Sequence, residues 1–431
     1  MRPSHAPRSR WFAVGAVSAL VAGALCAAVS CATSDASPDD AKDASRPGDS
    51  ATEPVDAGPD VADAGPETGC DAADPRCTVR EATCDEVDWC RTPTVANPLH
   101  AFTAVWGSSK NDVWAVGSGG TIAHFDGTNW ALTESGVRNT FFAVWGSGPN
   151  DVWAVSDSQV ILHCSGFRGP QTTWEAVPTP LPVASSAYID AIWGSSPTDI
   201  RIGGRAFDTK DPFTGRNTSG DRFISYPNPD GGPEAGLAWA PQTGSPYIRG
   251  IWGSSANDVW MVADNSVYVP HERGLTLHGT PTDGGPPETD AGYPLDPLTW
   301  TRVDSQSNVT LEGVWGSSAS DVWAVGRLGT IRHITPADDR WQRVESPSQE
   351  DLHWVWGAGP SDVWAVGNGG TILHFDGRSF TKSTAQLPLG AKPSLRGIWG
   401  SSPNDVWIVG EGIVLHYTGP KAKPAPQGDG G

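Results

Sequence analysis

From Asp88 to Gly419 the chain alternates apolar and polar positions in short runs, each closed by small residues, Gly, Pro or Asp. No stretch there carries the three-and-four spacing of an amphipathic helix. The clearest unit is LHWVWGAGPSDVWAVGNGGTILHFDGRSF, Leu352 to Phe380. Leu352–Gly357 predicts a first strand and Ala358–Ser361 a turn. Asp362–Gly367 predicts a second strand. Gly367–Gly370 is a glycine-rich hairpin turn, where positive φ meets no Cβ clash. Thr371–Phe375 predicts a third strand, and Asp376–Gly377 is a strong hairpin signal. A fourth strand follows, usually led by Trp, as at Trp130, Trp174, Trp300 and Trp341. Four short antiparallel strands define one β-propeller blade.

The core phrase of this unit is written seven times, with its Asp at 112, 151, 199, 258, 321, 362 and 405. The separations are 39, 48, 59, 63, 41 and 43. The short ones match a four-stranded blade of about 40–50 residues, and the longest two mark insertions. The seventh unit stops after its third strand, Gly412–Tyr417. Asp88-Trp89-Cys90-Arg91-Thr92 matches the fourth-strand segment Asn129–Thr133 in type, so it is expected to complete the last blade and close the ring. Closure removes exposed sheet edges. The expected fold is all-β, a seven-bladed propeller over 88–418 with a disordered tail at 419–431.

Repeated residues serve the scaffold. The Trp pairs, such as Trp106 with Trp114, are expected to glue blade to blade. A buried indole covers about 150–250 Å², on the order of 4–6 kcal/mol each as an upper bound. The phrase Asp follows a tight turn and is expected to accept backbone N–H bonds there. His124, His163, His333, His374 and His416 share one third-strand register, so each is expected to bond within its own blade. They are too dispersed to share one metal. His271 and His278 look like near-misses of that register in the fourth blade.

The string VWAVG-x-x-G-T-I-x-H-F-D-G-x-x-W resembles the tectonin-type propeller repeat. The S-x-x-x-D turn before Trp is similar to the Asp-box of sialidase-like propellers. The whole phrase WGSSPNDVWAVG most resembles the Trp-rich repeats of secreted bacterial lipoproteins of the myxobacterial type. This resemblance spans about Asp88 to Gly419 and implies a propeller that binds carbohydrate or protein.

The first 31 residues read as an export leader. Arg2, Arg8 and Arg10 precede the apolar run Trp11–Val29, and Ala28-Val29-Ser30-Cys31 looks like a lipoprotein cleavage box. Acylation of Cys31 would anchor the chain, with Ala32 favouring an outer-membrane position; a plain secretory cut after an Ala is the alternative. Residues 32–69 are Ala, Asp, Pro, Ser and Gly, an acidic tether unable to offset its ordering entropy. The chain carries a formal net charge of −20. From Ala32 to Asp88 sixteen acids face four bases, so most of that excess lies outside the propeller. This balance excludes nucleic acid as a natural partner and leaves the membrane approached through the lipid alone. Cys70, Cys77, Cys84 and Cys90, in segment 70–90, form an even set in an exported chain. Two disulfides are expected, in any of three connectivities, with a four-thiolate zinc site as the alternative. Cys164 is left over and is expected to be a buried third-strand residue.

Function is sought in what varies between blades. Three residues before the first Trp of each phrase stand Thr103, Phe142, Asp190, Arg249, Glu312, His353 and Arg396. They are expected to ring one mouth of the central channel. The next position is Ala or Gly in six units and Trp354 in the sixth. A ligand patch is expected there, with Trp354, beside His353, as a stacking surface and Arg249, Arg396, Asp190 and Glu312 as polar contacts. The alternative is that these charges pair with one another or are simply solvated, and that the indole plugs the channel. The insertion Ala206–Asp221 lengthens the third blade on the same face, as a solvated loop. Its Asp208, Asp211 and Asp221 are calcium-ligand types but lack the D-x-[DN]-x-[DN]-G string. Gly279–Pro297 lengthens the fourth blade. No G-x-S-x-G, H-E-x-x-H, phosphate loop or dinucleotide fingerprint is present. The sequence reads as a non-catalytic, cofactor-free, monomeric binding module at the cell surface, engaging a protein partner. Lectin-like glycan binding is the alternative, and a glycan hydrolase or lyase built on Asp190 and Glu312 a third reading.

Overall fold

The computed structural model describes residues 80–421 apart from 95–96, 98, 159, 179–187, 211–216, 228–235, 244–245, 265–272 and 284–294. For 205–210, 217–223, 226–227, 241 and 243 it describes the backbone. The leader, the tether, Cys70, Cys77, Asp211, His271 and residues 422–431 lie outside the described residues.

Among the described residues the chain forms seven four-stranded antiparallel sheets, a seven-bladed β-propeller. Blade 1 comprises Phe102–Ser109, Asp112–Gly117, Ile122–Phe125 and Trp130–Thr133, paired in chain order. Blades 2 to 6 span 141–177, 189–243, 247–303, 311–344 and 352–382. Blade 7 joins Leu395–Ser402, Asp405–Gly410 and Ile413–Tyr417 to Cys90–Arg91 from the start of the domain. There Cys90 pairs with His416 and Arg91 with Leu415. First strands of successive blades neighbour one another around the ring, and the last neighbours the first.

Two aromatic devices join the blades. The first-strand Trp reaches over the phrase glycine of the next blade. A Cβ on Gly146 would stand 2.5 Å from the Trp106 ring, and one on Gly107 would stand 2.7 Å from Trp399. The second-strand Trp meets an aromatic on the next blade's fourth strand. Trp114 contacts Trp174 at 5.3 Å and 90°, and Trp407 contacts Trp130 at 5.4 Å and 85°. Edge-to-face geometry of this kind adds about 0.5–1.5 kcal/mol beyond area burial.

Blade 3 departs from this rule. Arg201 stands where the other blades have the second-strand Trp, opposite Trp193. It is 1% exposed, and its Nη1 lies 2.8 Å from Asp296 Oδ1 of blade 4. Trp300 Nε1 donates to Asp296 Oδ2 at 2.7 Å. An ion pair thus replaces an indole contact at one blade junction.

Three expectations are corrected. The described parts of the third-blade insertion are not loop but an extension of the sheet: Asp199–Lys210 and Asn217–Pro227 pair with each other, with Asp208 opposite Ser219. The cause is chain length, since both arms are long enough to keep laddering beyond the blade. His278 is not a near-miss; it lies opposite Trp260 in the register of the other histidines. The path past Tyr417 stays defined to Lys421, whose Nζ donates to Val87 O at 2.9 Å. Among the four clustered cysteines, Cys84 is bonded to Cys90 on the closing strand. Cys164 is free and buried.

The blade topology gives the ring two different rims. First-to-second and third-to-fourth strand turns lie on one, here called the repeat rim. Second-to-third turns and the connections between blades lie on the other, the variable rim.

Candidate functional site

The repeat rim is a closed set of side-chain bonds. The phrase Asp accepts side-chain donors rather than the expected backbone N–H groups, because it sits half-buried opposite the third strand. Asp112 Oδ2 accepts from Ser108 Oγ at 2.5 Å, and its Oδ1 accepts from His124 Nε2 at 2.7 Å. The His–Asp contact recurs at 2.6–2.8 Å in blades 2, 4, 5, 6 and 7. In blades 4 to 7 the same imidazoles stack on the second-strand Trp, as His416 does on Trp407 at 3.8 Å and 10°, whereas His124 stacks on Phe167 at 3.8 Å and 22°. Burial works against ionisation of Asp112, Asp151, Asp258 and Asp405, yet the His and Ser hydrogen bonds hold each below the ordinary carboxylate value. The carboxylates and the imidazole Nε2 groups thus satisfy one another, while the buried His124 Nδ1 has no partner among the described residues.

On the variable rim, the predicted ring residues all find partners. Asp190 accepts a hydrogen bond from the Tyr247 hydroxyl. The Arg249 guanidinium lies 4.1 Å from the centre of the Tyr247 ring, and its Nη1 is 3.5 Å from Glu312 Oε2. Glu312 Oε1 in turn accepts from Arg327 Nε at 3.2 Å. One arc across blades 3, 4 and 5 therefore gathers Asp190, Arg249 and Glu312. Burial, then the Asp190 charge, pushes the Tyr247 phenol well above its ordinary range. His353 and Arg396 stand apart from that arc. His353 Nε2 meets Asn368 Oδ1 at 2.8 Å, and Arg396 Nη2 donates to Glu411 Oε1 at 3.0 Å. Trp354 is half-buried against the core shared by blades 6 and 7. Thr103 Oγ donates across the junction to Phe141 O at 2.6 Å.

Tyr247 and Arg327 are absent from the sequence-derived set. Tyr247 precedes Arg249 by two residues, and the register breaks between Ile248 and Gly250, leaving Arg249 over the Tyr247 ring. Arg327 occupies the hairpin turn where blades 1 and 6 carry Ser118 and Asn368.

Among the described residues, two grooves on the variable rim stand out. The larger, about 1080 Å³, lies over blade 5 between Gln306–Val309, Leu328–Arg332 and Arg343–Gln349. The smaller, about 530 Å³, lies at the ring closure beside Arg91, His100 and Gln386. Of the five exposed large apolar side chains among the described residues, Leu99, Tyr188, Leu328 and Leu389 lie on this rim. Among the described residues no group of three or more His, Cys, Asp or Glu is placed to hold a metal ion. No helix among them is long and apolar enough to cross a membrane.

The molecule is thus a propeller with one self-satisfied rim and one irregular rim, and the comparisons agree on the fold. It is similar to YCF48 bound to D1 peptide, with a TM-score of 0.54 and 16% identity over 79% of this chain and 100% of that one. Similar too are YCF48 from Cyanidioschyzon merolae (0.54, 14%, 77% and 98%) and the WD40 propeller domain of Doa1 (0.53, 10%, 79% and 99%). No protein-family model matches the chain, and no curated protein does.

Proposed function

We propose that this chain is a non-catalytic binding module that engages a protein partner through its variable rim, exported and held at the outer membrane by a lipid on Cys31. The observation that carries the reading is one-sidedness. Bonds repeated from blade to blade occupy the repeat rim, while four exposed apolar side chains and both grooves collect on the other. Apolar surface of this kind, on a rigid frame, favours association. A propeller of similar fold was solved with a peptide bound, which supports a protein partner over a glycan.

The test is site-specific photo-crosslinking in intact cells, with the probe at Leu389 on the variable rim or at Arg378 on the repeat rim. A discrete protein adduct at position 389 and none at 378 is expected. Adducts confined to 378, or specific glycan-array binding without any protein adduct, would refute the reading. Loss of fatty-acid labelling in Cys31→Ser tests the anchor; label that persists removes it.

A further inference from the structure

The groove over blade 5 contains a second charged departure from the repeat. At the third-strand position facing Ala324 stands Arg332. The corresponding residues of blades 1, 2, 4, 6 and 7 are Ala123, Leu162, Leu277, Leu373 and Leu415, all buried and apolar. Arg332 is itself only 7% exposed. Its guanidinium donates to three backbone carbonyls, Ser305 O at 3.0 Å, Gln306 O at 2.6 Å and Ile331 O at 2.9 Å, and to no carboxylate.

The residue directly opposite Arg332 on the fourth strand is Arg343. Like charges opposite one another in an antiparallel pair repel. Burial, then Arg343, weakens the hold of Arg332 on its proton. A buried charge calls for a counter-charge, and the one carboxylate lining the groove is Glu345. The surplus is cationic, in a chain of net charge −20.

The backbone around the groove is unusual as well. Among the described residues three non-glycine side chains have positive φ, and two of them, Gln306 and Leu328, line this groove. Leu328 takes φ 54° at the turn position that Gly119 and Gly369 fill in blades 1 and 6. It nevertheless remains 67% exposed. Outliers of this kind cluster where function holds them. The groove offers aliphatic Leu328, Val309 and Val344 and no aromatic ring for a sugar to stack on. Along Gln342–Val344, a terminal strand of the blade, one edge has no strand partner.

We propose that the blade 5 groove binds an extended acidic peptide segment. A carboxylate answers Arg332 and Arg343, an apolar side chain covers Leu328, and the peptide backbone pairs along the free edge of Gln342–Val344. This site rests on the reading of the variable rim as a protein-binding face, and narrows it to one partner chemistry.

The test uses the full chain and a fluorescent peptide alternating Glu and Leu, read by anisotropy at low and high salt. Arg332→Leu restores the residue type of the other blades, and its melting temperature is expected to rise. Both it and Arg343→Gln are expected to weaken peptide binding at least tenfold, as is replacing Glu by Gln in the peptide. Arg378→Gln on the repeat rim is expected to change binding less than twofold. The proposal is overturned if the peptide fails to bind, if Arg332→Leu and Arg343→Gln bind as well as the parent, or if an anionic oligosaccharide binds more tightly at the same residues. Any of these outcomes alongside intact crosslinking at position 389 removes this site alone and leaves the protein-binding rim standing.

Discussion

Trp89 stands edge-on to Trp364, ring centroids 5.1 Å apart at 87°, across the junction between blades 7 and 6. It also lies 5.3 Å from Tyr417 and has no exposed surface. Asp88 beside it accepts from Ser383 Oγ at 2.9 Å and from the Thr384 backbone N–H at 3.0 Å. Two residues of strand pairing are thus backed by an indole and a carboxylate. Trp89→Ala is expected to destabilise the protein by about 3–5 kcal/mol. Chemical denaturation measures this; a loss no larger than that of an exposed-site control would mean the seam does not hold the ring.

The first-strand Trp contact makes a paired test on neighbouring glycines. Gly146→Ala places a Cβ 2.5 Å from both the Trp106 ring and Asp151 O. Gly148→Ala meets nothing within 4 Å. The first is expected to cost about 1–3 kcal/mol through overpacking, and the second to stay within about 0.5 kcal/mol of the parent. Equal melting temperatures for the two variants would contradict the contact.

The Arg201–Asp296 pair crosses from blade 3 to blade 4 in a buried setting. Asp296→Ala leaves the guanidinium only its longer contact to Asp199 Oδ1, at 3.7 Å, and also strips the Trp300 Nε1 bond. A loss of about 3–5 kcal/mol is expected. Hydrogen exchange should then localise the loosening to blades 3 and 4, and protection unchanged there would argue against the pair as a joint.

Acid weakens the repeat rim. The folded pKa values of Asp112, Asp151, Asp258 and Asp405 lie below the ordinary 3.8, so the native state stays charged to lower pH than the unfolded chain. The stability they supply is present above the unfolded value and is lost as pH falls through the folded one. Melting temperature is expected to hold between about pH 7 and 5 and to drop below about pH 4. His124→Gln, which removes one donor, is expected to lower the plateau and shrink the drop. A steeper drop in the variant would reverse the assigned sign.

The seven phrases and the Trp89 strand were legible because both are local: one is written in the period of the chain, the other in a short match of residue types. The partners of Asp112 were not, since His124 meets it only once the register of the third strand is fixed. His278 was misread because an insertion shifts its spacing while leaving its pairing intact. Arg201 hid as an exception to a repeat, and Asp296 lies 95 residues away. The ring position of Asp190, Arg249 and Glu312 was visible in what varies. Its bridging Tyr247 and Arg327 were not, because they sit outside the aligned column. The facing of Arg332 and Arg343 depends on a hairpin whose turn breaks the blade pattern.

Six blades are each completed by one continuous stretch of chain, but the seventh borrows its outer strand from the other end of the domain. Residues 88–92 are the first part of the propeller to be made and find their berth last. Until Ile413–Tyr417 is in place, that strand has no partner to pair with. Completion of the ring is therefore a late event, and the interval before it is when an open edge is available to a second unfolded copy.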